Sequence, residues 1–296
     1  MSVIKAEINK GCRLCGSPQT VNSHIFPKFI IRWLNKTGTG RVRQLGNPNI
    51  PVQDGLVEKL LCSECESRFS RSERYFANKV FFPVADSNQS EIQYDHNLKY
   101  FIISALWRVL VTDFFKELDG SPWSDTLKEI EKQWSDFLLL DVPIKADSFS
   151  EIHLLVGVDV VENESEIPTN DFEQDFTRYM ARMIDAGAPY NADILLFFYK
   201  IPRFLFILPI VNIDTSGFLN SRIHEQGIYN LQSVKINSPL IVNYFRERMI
   251  SVNDAKDKIS ENQKRISEQR YKKNLAAIEK KDLGKINRYI NQKRKD

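Results

Sequence analysis

The sequence predicts an α+β protein in three consecutive parts: a cysteine-bearing unit over residues 1–82, a mixed helix-and-sheet domain over 83–250, and a basic helical tail over 251–296. Three observations predict it. All four cysteines of the 296-residue chain fall within its first 65 residues. Farther on, "HNLKYFIISALWRVLVTDFFKEL" carries apolar residues at helical spacing, whereas "ADILLFFYK" and "RFLFILPIVN" are short apolar runs of strand length. Charge also changes sign along the chain. Residues 1–80 hold 13 Lys/Arg against 6 Asp/Glu, 81–250 hold 14 against 25, and 251–296 hold 14 against 7. The basic ends can meet phosphate or can pair with the acidic middle, and charge alone does not separate the two.

A charged content of 27% and a hydrophobic content of 42% read as an ordinary soluble globular protein, with 19 Phe and 10 Tyr to build a core. The start, "MSVIKAEINKGC", lacks the long apolar region of a secretory signal. The most apolar run is broken by "YKIPR", and Lys200 and Arg203 would be costly inside a bilayer, so it reads as two buried strands and not as a membrane span. The expected location is the cytoplasm, with no membrane partner.

The cysteines form two C-x-x-C units, Cys12/Cys15 and Cys62/Cys65. Disulfides are seldom kept in a cytosolic chain, and two such knuckles match a tetrahedral Zn²⁺ site. Gly11 and Gly16 flank the first knuckle and ease a tight turn. "CSEC" leads into a helical pattern, so the second pair opens a helix, where the dipole favours thiolate. The alternative is two redox-active or merely buried pairs; two knuckles with no other cysteine in the chain favour zinc. With all four ligands from the protein, the zinc is structural and not catalytic.

His24 lies in "TVNSHIFPKF", a strand-like run closed by Pro27, and Glu66 follows the last cysteine. A zinc that gathers both knuckles brings these two regions together. The order knuckle, strand with histidine, excursion, strand, helix with second knuckle resembles the HNH (ββα-metal, treble-clef) nucleases. The similarity is to their four-cysteine type, as in phage recombination endonucleases. The words that carry it are "SHIFPK" and "LCSECE", within residues 10–82. The chain also resembles a group of bacterial proteins with "SHIIPK…QDG…LLC..CE". The resemblance implies a treble-clef zinc frame with His24 as general base and Glu66 as a ligand for a catalytic Mg²⁺ or Mn²⁺. Two positions depart from the family pattern. Ser23 stands where an acidic residue is usual, and Glu66 stands where Asn or His is usual. Glu66, Ser70 and Glu73 share one helix face, so Glu73 is a further candidate metal ligand. The alternatives are a Glu73 paired with Arg71 or Arg74, and a His24 packed near zinc.

Between the knuckles, Lys28, Arg32, Arg41 and Arg43 are candidate nucleic-acid contacts, and Lys36 belongs to the same basic segment. Trp33 can stack on a base or pack in the core. In the central domain, Arg108 sits among apolar neighbours and is expected to pair with a carboxylate. "FFPVADSNQSEIQYD" reads as a polar linker. Ser121 and Pro122 read as the cap and first residue of a second helix. A third helix is expected over 170–186, capped by Asn170 or Asp171 and stopped by Gly187. His96, His153 and His224 are isolated and read as ordinary histidines. The tail reads as a polar helix broken at Gly284.

The expected function is a metal-dependent HNH-like endonuclease cutting phosphodiester bonds, with DNA ahead of RNA as substrate and a role in bacterial anti-phage defence. The alternative is a non-catalytic zinc-bound treble-clef module that binds nucleic acid or a protein partner. A homo-oligomer is compatible with either.

Overall fold

Turn chemistry around the first cysteine pair starts the fold. Gly11 and Gly16 hold φ of +53° and +77°, a region that favours glycine. A Cβ on Gly11 would lie 2.7 Å from the Ser17 carbonyl oxygen. The computed structural model describes residues 11–38, 42–43, 45–51, 55–87, 89–112, 120–145, 147–157 and 171–278. After the knuckle come strand β1 (Val21–His24) and, past Pro27, helix α1 (Lys28–Thr37). Strand β2 (Val57–Leu61) returns antiparallel to β1, with His24 opposite Val57. Helix α2 (Ser63–Phe76) follows directly, with Cys62 at its N-cap. Through a π-helical turn, Ala77–Phe81, it runs on into α3 (Phe82–Ser87).

The next elements are β3 (Glu91–Tyr94), α4 (His96–Val111), α5 (Ser124–Leu140), β4 (Ile152–Val156), α6 (Asp171–Arg182) and β5 (Asp185–Gly187). The hairpin β6 (Leu195–Ile201) and β7 (Phe204–Val211) precedes four short strands: β8 (Phe218–Leu219), β9 (Arg222–Ile223), β10 (Gly227–Asn230) and β11 (Lys235–Ile236). Helices α7 (Pro239–Asp257) and α8 (Glu261–Ile278) close the described chain. The main sheet has the order β5-β6-β7-β4-β9, and every pairing in it is antiparallel.

This α+β arrangement explains why β6 and β7 read as unbroken apolar runs. An antiparallel sheet usually leaves one face wet and its strands alternate. Here both faces are covered. Phe197, Tyr199, Phe204 and Phe206 join the core shared with α2, α4 and α5, while Leu196, Phe198, Leu205 and Ile207 pack with α6 and α7. Phe76 of α2 stacks on Phe101 of α4 at 4.0 Å between ring centroids and meets Phe204 edge-on at 5.5 Å. The larger core is continuous from Cys12 to Leu231, so the cysteine-bearing end and the central sheet bury one another.

Lys200 and Arg203, the two cations that argue against a membrane span, have specific partners. The Lys200 ammonium donates to the carbonyls of Tyr179 and Met183 at the end of α6. Arg203 donates from its guanidinium to the Val84 carbonyl at 2.8 Å and from its backbone N–H to the Met180 carbonyl at 2.6 Å. No helix among the described residues is long and apolar enough to cross a membrane.

Several boundaries differ from the sequence expectation. The stretch read as a polar linker contains α3 and β3, because Ile92 and Tyr94 alternate inward and β3 pairs with β10. Helix α5 starts at Ser124, not Pro122; the Ser121 hydroxyl accepts from the Trp123 N–H in a turn ahead of it. Helix α6 ends at Arg182, and Asp185–Gly187 is strand, paired with β6. Asp171 is already helical, and Asn170 lies outside the described residues. Helix α7 crosses residue 250, where the tail was expected to begin, because Phe245, Met249 and Val252 bury on one side of it. Gly284 lies outside the described residues.

His153 on β4 is buried, with one ring nitrogen 2.8 Å from the Ser221 hydroxyl and the other 2.9 Å from Glu151. Burial lowers its pKa, the Glu151 carboxylate opposes that shift, and Arg222 adds to it. A His with a lowered folded pKa contributes stability above its unfolded value, about 6.5, and loses it as pH falls through and below that value. The protein is therefore expected to unfold at lower urea at pH 5 than at pH 7.5, and His153→Gln to flatten that difference. An unchanged pH slope in the variant would assign the acid sensitivity elsewhere.

Candidate metal centre and the carboxylate cluster beside it

The β1–β2 pair and the start of α2 bring the two knuckles together. The Arg13 N–H donates to the Leu60 carbonyl at 2.8 Å, which fixes the first knuckle against β2. Cys62 and Cys65 sit one turn apart at the head of α2. The Sγ atoms of Cys12, Cys15, Cys62 and Cys65 all lie within 4.8 Å of one another, and Cys15 and Cys62 are 3.6 Å apart. A tetrahedral zinc with bonds of about 2.3 Å places its sulfurs about 3.8 Å apart, so the donor set fits. Cys12, Cys62 and Cys65 are buried and Cys15 is exposed.

Electrostatics in the cluster call for a cation. Burial opposes ionisation of Cys12, but N–H groups of Cys15, Cys62 and Leu14 outweigh it and bring the thiol down to about 7. Cys65 moves the other way, pushed up by burial and then by the thiols of Cys15 and Cys62. Four thiolates this close repel one another, and a bound dication removes the conflict. The cluster can hold a zinc ion.

His24 ends β1 and is half-buried, and β1 and β2 both pack against α2, the helix that carries Glu66. Ser23 is fully buried, with no hydrogen-bond partner for its hydroxyl among the described residues. Two residues after His24, Phe26 stacks on Tyr199 of β6, with centroids 5.1 Å apart and planes at 17°. The histidine strand thus meets the central sheet.

Glu66 occupies the first turn of α2, its N–H donating to the Cys62 carbonyl at 2.9 Å. Glu73 lies two turns on along the same face. Arg108 of α4 reaches both. Its Nη1 donates to Glu73 Oε1 at 2.6 Å, and its Nη2 stands 4.0 Å from Glu66 Oε1. The Arg108 side chain has no exposed surface, and its guanidinium lies over the Phe69 ring at 4.9 Å. Glu73 therefore pairs with neither Arg71 nor Arg74 in the ion pairs of the described residues; its partner comes from another helix. Among the described residues, Glu66 Oε2 is buried with no hydrogen-bond partner, as are Arg108 Nε and the Tyr199 hydroxyl. Burial holds Tyr199 protonated far above the usual tyrosine range; Arg108 opposes the shift and Glu73 adds to it.

The basic candidates divide. Lys28, Arg32 and Lys36 are exposed at i, i+4 and i+8 on one face of α1. Arg43 instead turns to α8, donating to Gln263 at 2.9 Å. Arg41 lies outside the described residues. Trp33 is buried, donates to Asp86 at 3.2 Å and carries the Arg182 guanidinium 5.1 Å over its ring, so it serves the core.

Sequence reasoning linked Arg108 to a carboxylate but not to this cluster, and it missed Tyr199. The available signal for Arg108 was a lone cation in an apolar helix. For Tyr199 there was none, because one polar atom in a run of buried aromatics looks like core.

Comparison with protein families, curated proteins and solved structures finds no match for this chain. What fold and site define is an α+β protein with a four-cysteine, zinc-type centre at its N-terminal end.

Proposed function

We propose that the protein is a metal-dependent HNH-like endonuclease that hydrolyses nucleic-acid phosphodiester bonds. One observation carries the reading. A strand ending in His24 pairs antiparallel with the strand that leads into α2, the first turn of α2 carries Glu66 next to two of the four clustered cysteines, and Glu66 keeps one buried carboxylate oxygen with no hydrogen-bond partner among the described residues. Zinc at the cysteines holds the frame and takes no part in the chemistry.

In this reading the His24 imidazole takes a proton from water, whose oxygen attacks phosphorus as the phosphorus–oxygen bond to the leaving group breaks. Mg²⁺ or Mn²⁺, held through Glu66, supplies neutralisation of the charge on the phosphate and the leaving oxygen. Lys28, Arg32 and Lys36 contact backbone phosphates, which positions a strand without reading its sequence. DNA is the expected substrate, and defence against phage is the expected setting. The second reading, a zinc module that binds nucleic acid or protein without cutting, is favoured by Ser23 in place of an acidic residue and by the Glu73–Arg108 pair. Plasmid DNA and RNA incubated with Mg²⁺ or Mn²⁺, and with EDTA, decide between them. Cutting that EDTA abolishes supports the nuclease; retention of either polymer without cutting selects the binding module.

A further inference from the structure

Arg108 is the least expected member of the cluster. It comes from α4, far from both knuckles in sequence, and it is wholly buried. A buried cation is kept where carboxylates compensate it. Glu73 does so directly at 2.6 Å, and Glu66 is at the edge of an ion pair at 4.0 Å. The two oxygens of Glu66 therefore differ. Oε1 is on the guanidinium side, and Oε2 is buried without a hydrogen-bond partner among the described residues. Glu73 has its charge already matched by Arg108, whereas Glu66 does not share a hydrogen bond with it.

We propose that Arg108 is a positioning residue of the candidate nuclease centre, an internal cation that withholds Glu73 from the divalent metal and leaves Glu66 as the carboxylate that binds it. The proposal rests on the nuclease reading for the identity of the metal site. It gives the central domain a role in that site: α4 sets its charge, so the β1–β2–α2 unit does not define the centre alone. The full burial of Arg108 keeps it from touching substrate, which separates it from an arginine that grips phosphate. Its effect runs through the two glutamates.

Charge decides the sign of the expected effects. Without Arg108, Glu66 and Glu73 form an uncompensated pair that attracts a dication more strongly and away from its proper place. Without the Glu73 charge, Arg108 acts on Glu66 alone and repels the dication. The test is Mn²⁺ binding to the full-length, zinc-loaded protein, read by electron paramagnetic resonance without nucleic acid, beside cleavage of plasmid. Arg108→Met is expected to bind Mn²⁺ at least about tenfold more tightly, as a nearby unit charge implies, yet to cut more slowly at saturating Mn²⁺. Glu73→Gln is expected to bind Mn²⁺ more weakly, and Arg108→Lys to fall between Arg108→Met and wild type. A merely structural role would move both variants toward weaker binding. If Arg108→Met does not fold, Arg108→Lys carries the test: Mn²⁺ binding tighter than wild type is expected, and unchanged or weaker binding overturns the proposal. Mn²⁺ affinity unchanged or increased in Glu73→Gln, or unchanged or decreased in folded Arg108→Met, overturns the proposal. A wild-type protein that binds Mn²⁺ but cuts nothing overturns the nuclease reading, while the opposed shifts in Mn²⁺ affinity still stand or fall on Arg108.

Discussion

Cys62→Ser is expected to purify without its full complement of zinc and to lose the fold of the cysteine-bearing unit. Structural zinc contributes folding free energy directly, on the order of 10 kcal/mol in small zinc domains. Even a fraction of that, at roughly 2–4 °C per kcal/mol, lowers Tm by more than about 10 °C. The loss should spread past residue 82, because Phe69 and Phe76 of α2 belong to the core that continues to Leu231. Arg13→Ala is the control: it removes a half-exposed pair with Glu131 at 3.2 Å and leaves the thiols alone, so its cost should stay near or below about 1 kcal/mol. Elemental analysis and a thermal melt check both. A Cys62→Ser protein with wild-type Tm would remove the zinc frame.

His24→Ala is expected to slow Mn²⁺-dependent cutting by roughly 10²–10⁴, the usual worth of a general base. The melt should change little, since His24 is half-buried and does not hold the zinc. Ser23→Asp is the informative companion. Ser23 is fully buried, so a carboxylate there pays for desolvation unless a cation meets it. The variant should therefore melt below wild type in EDTA and recover with Mn²⁺. Recovery without Mn²⁺ would place residue 23 away from any metal. A His24→Ala protein that cuts at the wild-type rate would take His24 out of the chemistry.

Much of this was legible from spacing. Two C-x-x-C units specified a sulfur cluster because a tetrahedral ion needs four soft donors. The helix of residues 96–111 and the hairpin of residues 195–211 followed from apolar pattern and from the "YKIPR" break. Harder to read were features set by tertiary contact. Strand β3 is four residues long and depends on β10, more than 130 residues later, for its pairing. The end of α6 is fixed by a lysine that caps it from the neighbouring strand, not by the glycine that looked like a stop. Trp33 had two readings, and only the burial of its ring selected one. At the candidate site, His24, Glu66 and Glu73 were singled out by motif and helical face, and the partner of Glu73 proved to be Arg108. Arg108 and Tyr199 were not, since their approach depends on how α4 and β6 pack against α2 and Phe26.

In the proposed nuclease, the cysteine cluster brings His24 and Glu66 to one divalent-metal site. Paramagnetic broadening tests it without requiring activity. The chain has four histidines, so imidazole resonances of histidine-labelled protein are few, and His24→Ala assigns the relevant one. Substoichiometric Mn²⁺ added to zinc-loaded protein is predicted to broaden the His24 signal before those of His96, His153 and His224, and Glu66→Gln to protect it. A His24 signal that stays sharp while Mn²⁺ binds, or broadens equally in Glu66→Gln, would separate His24 from the divalent-metal site.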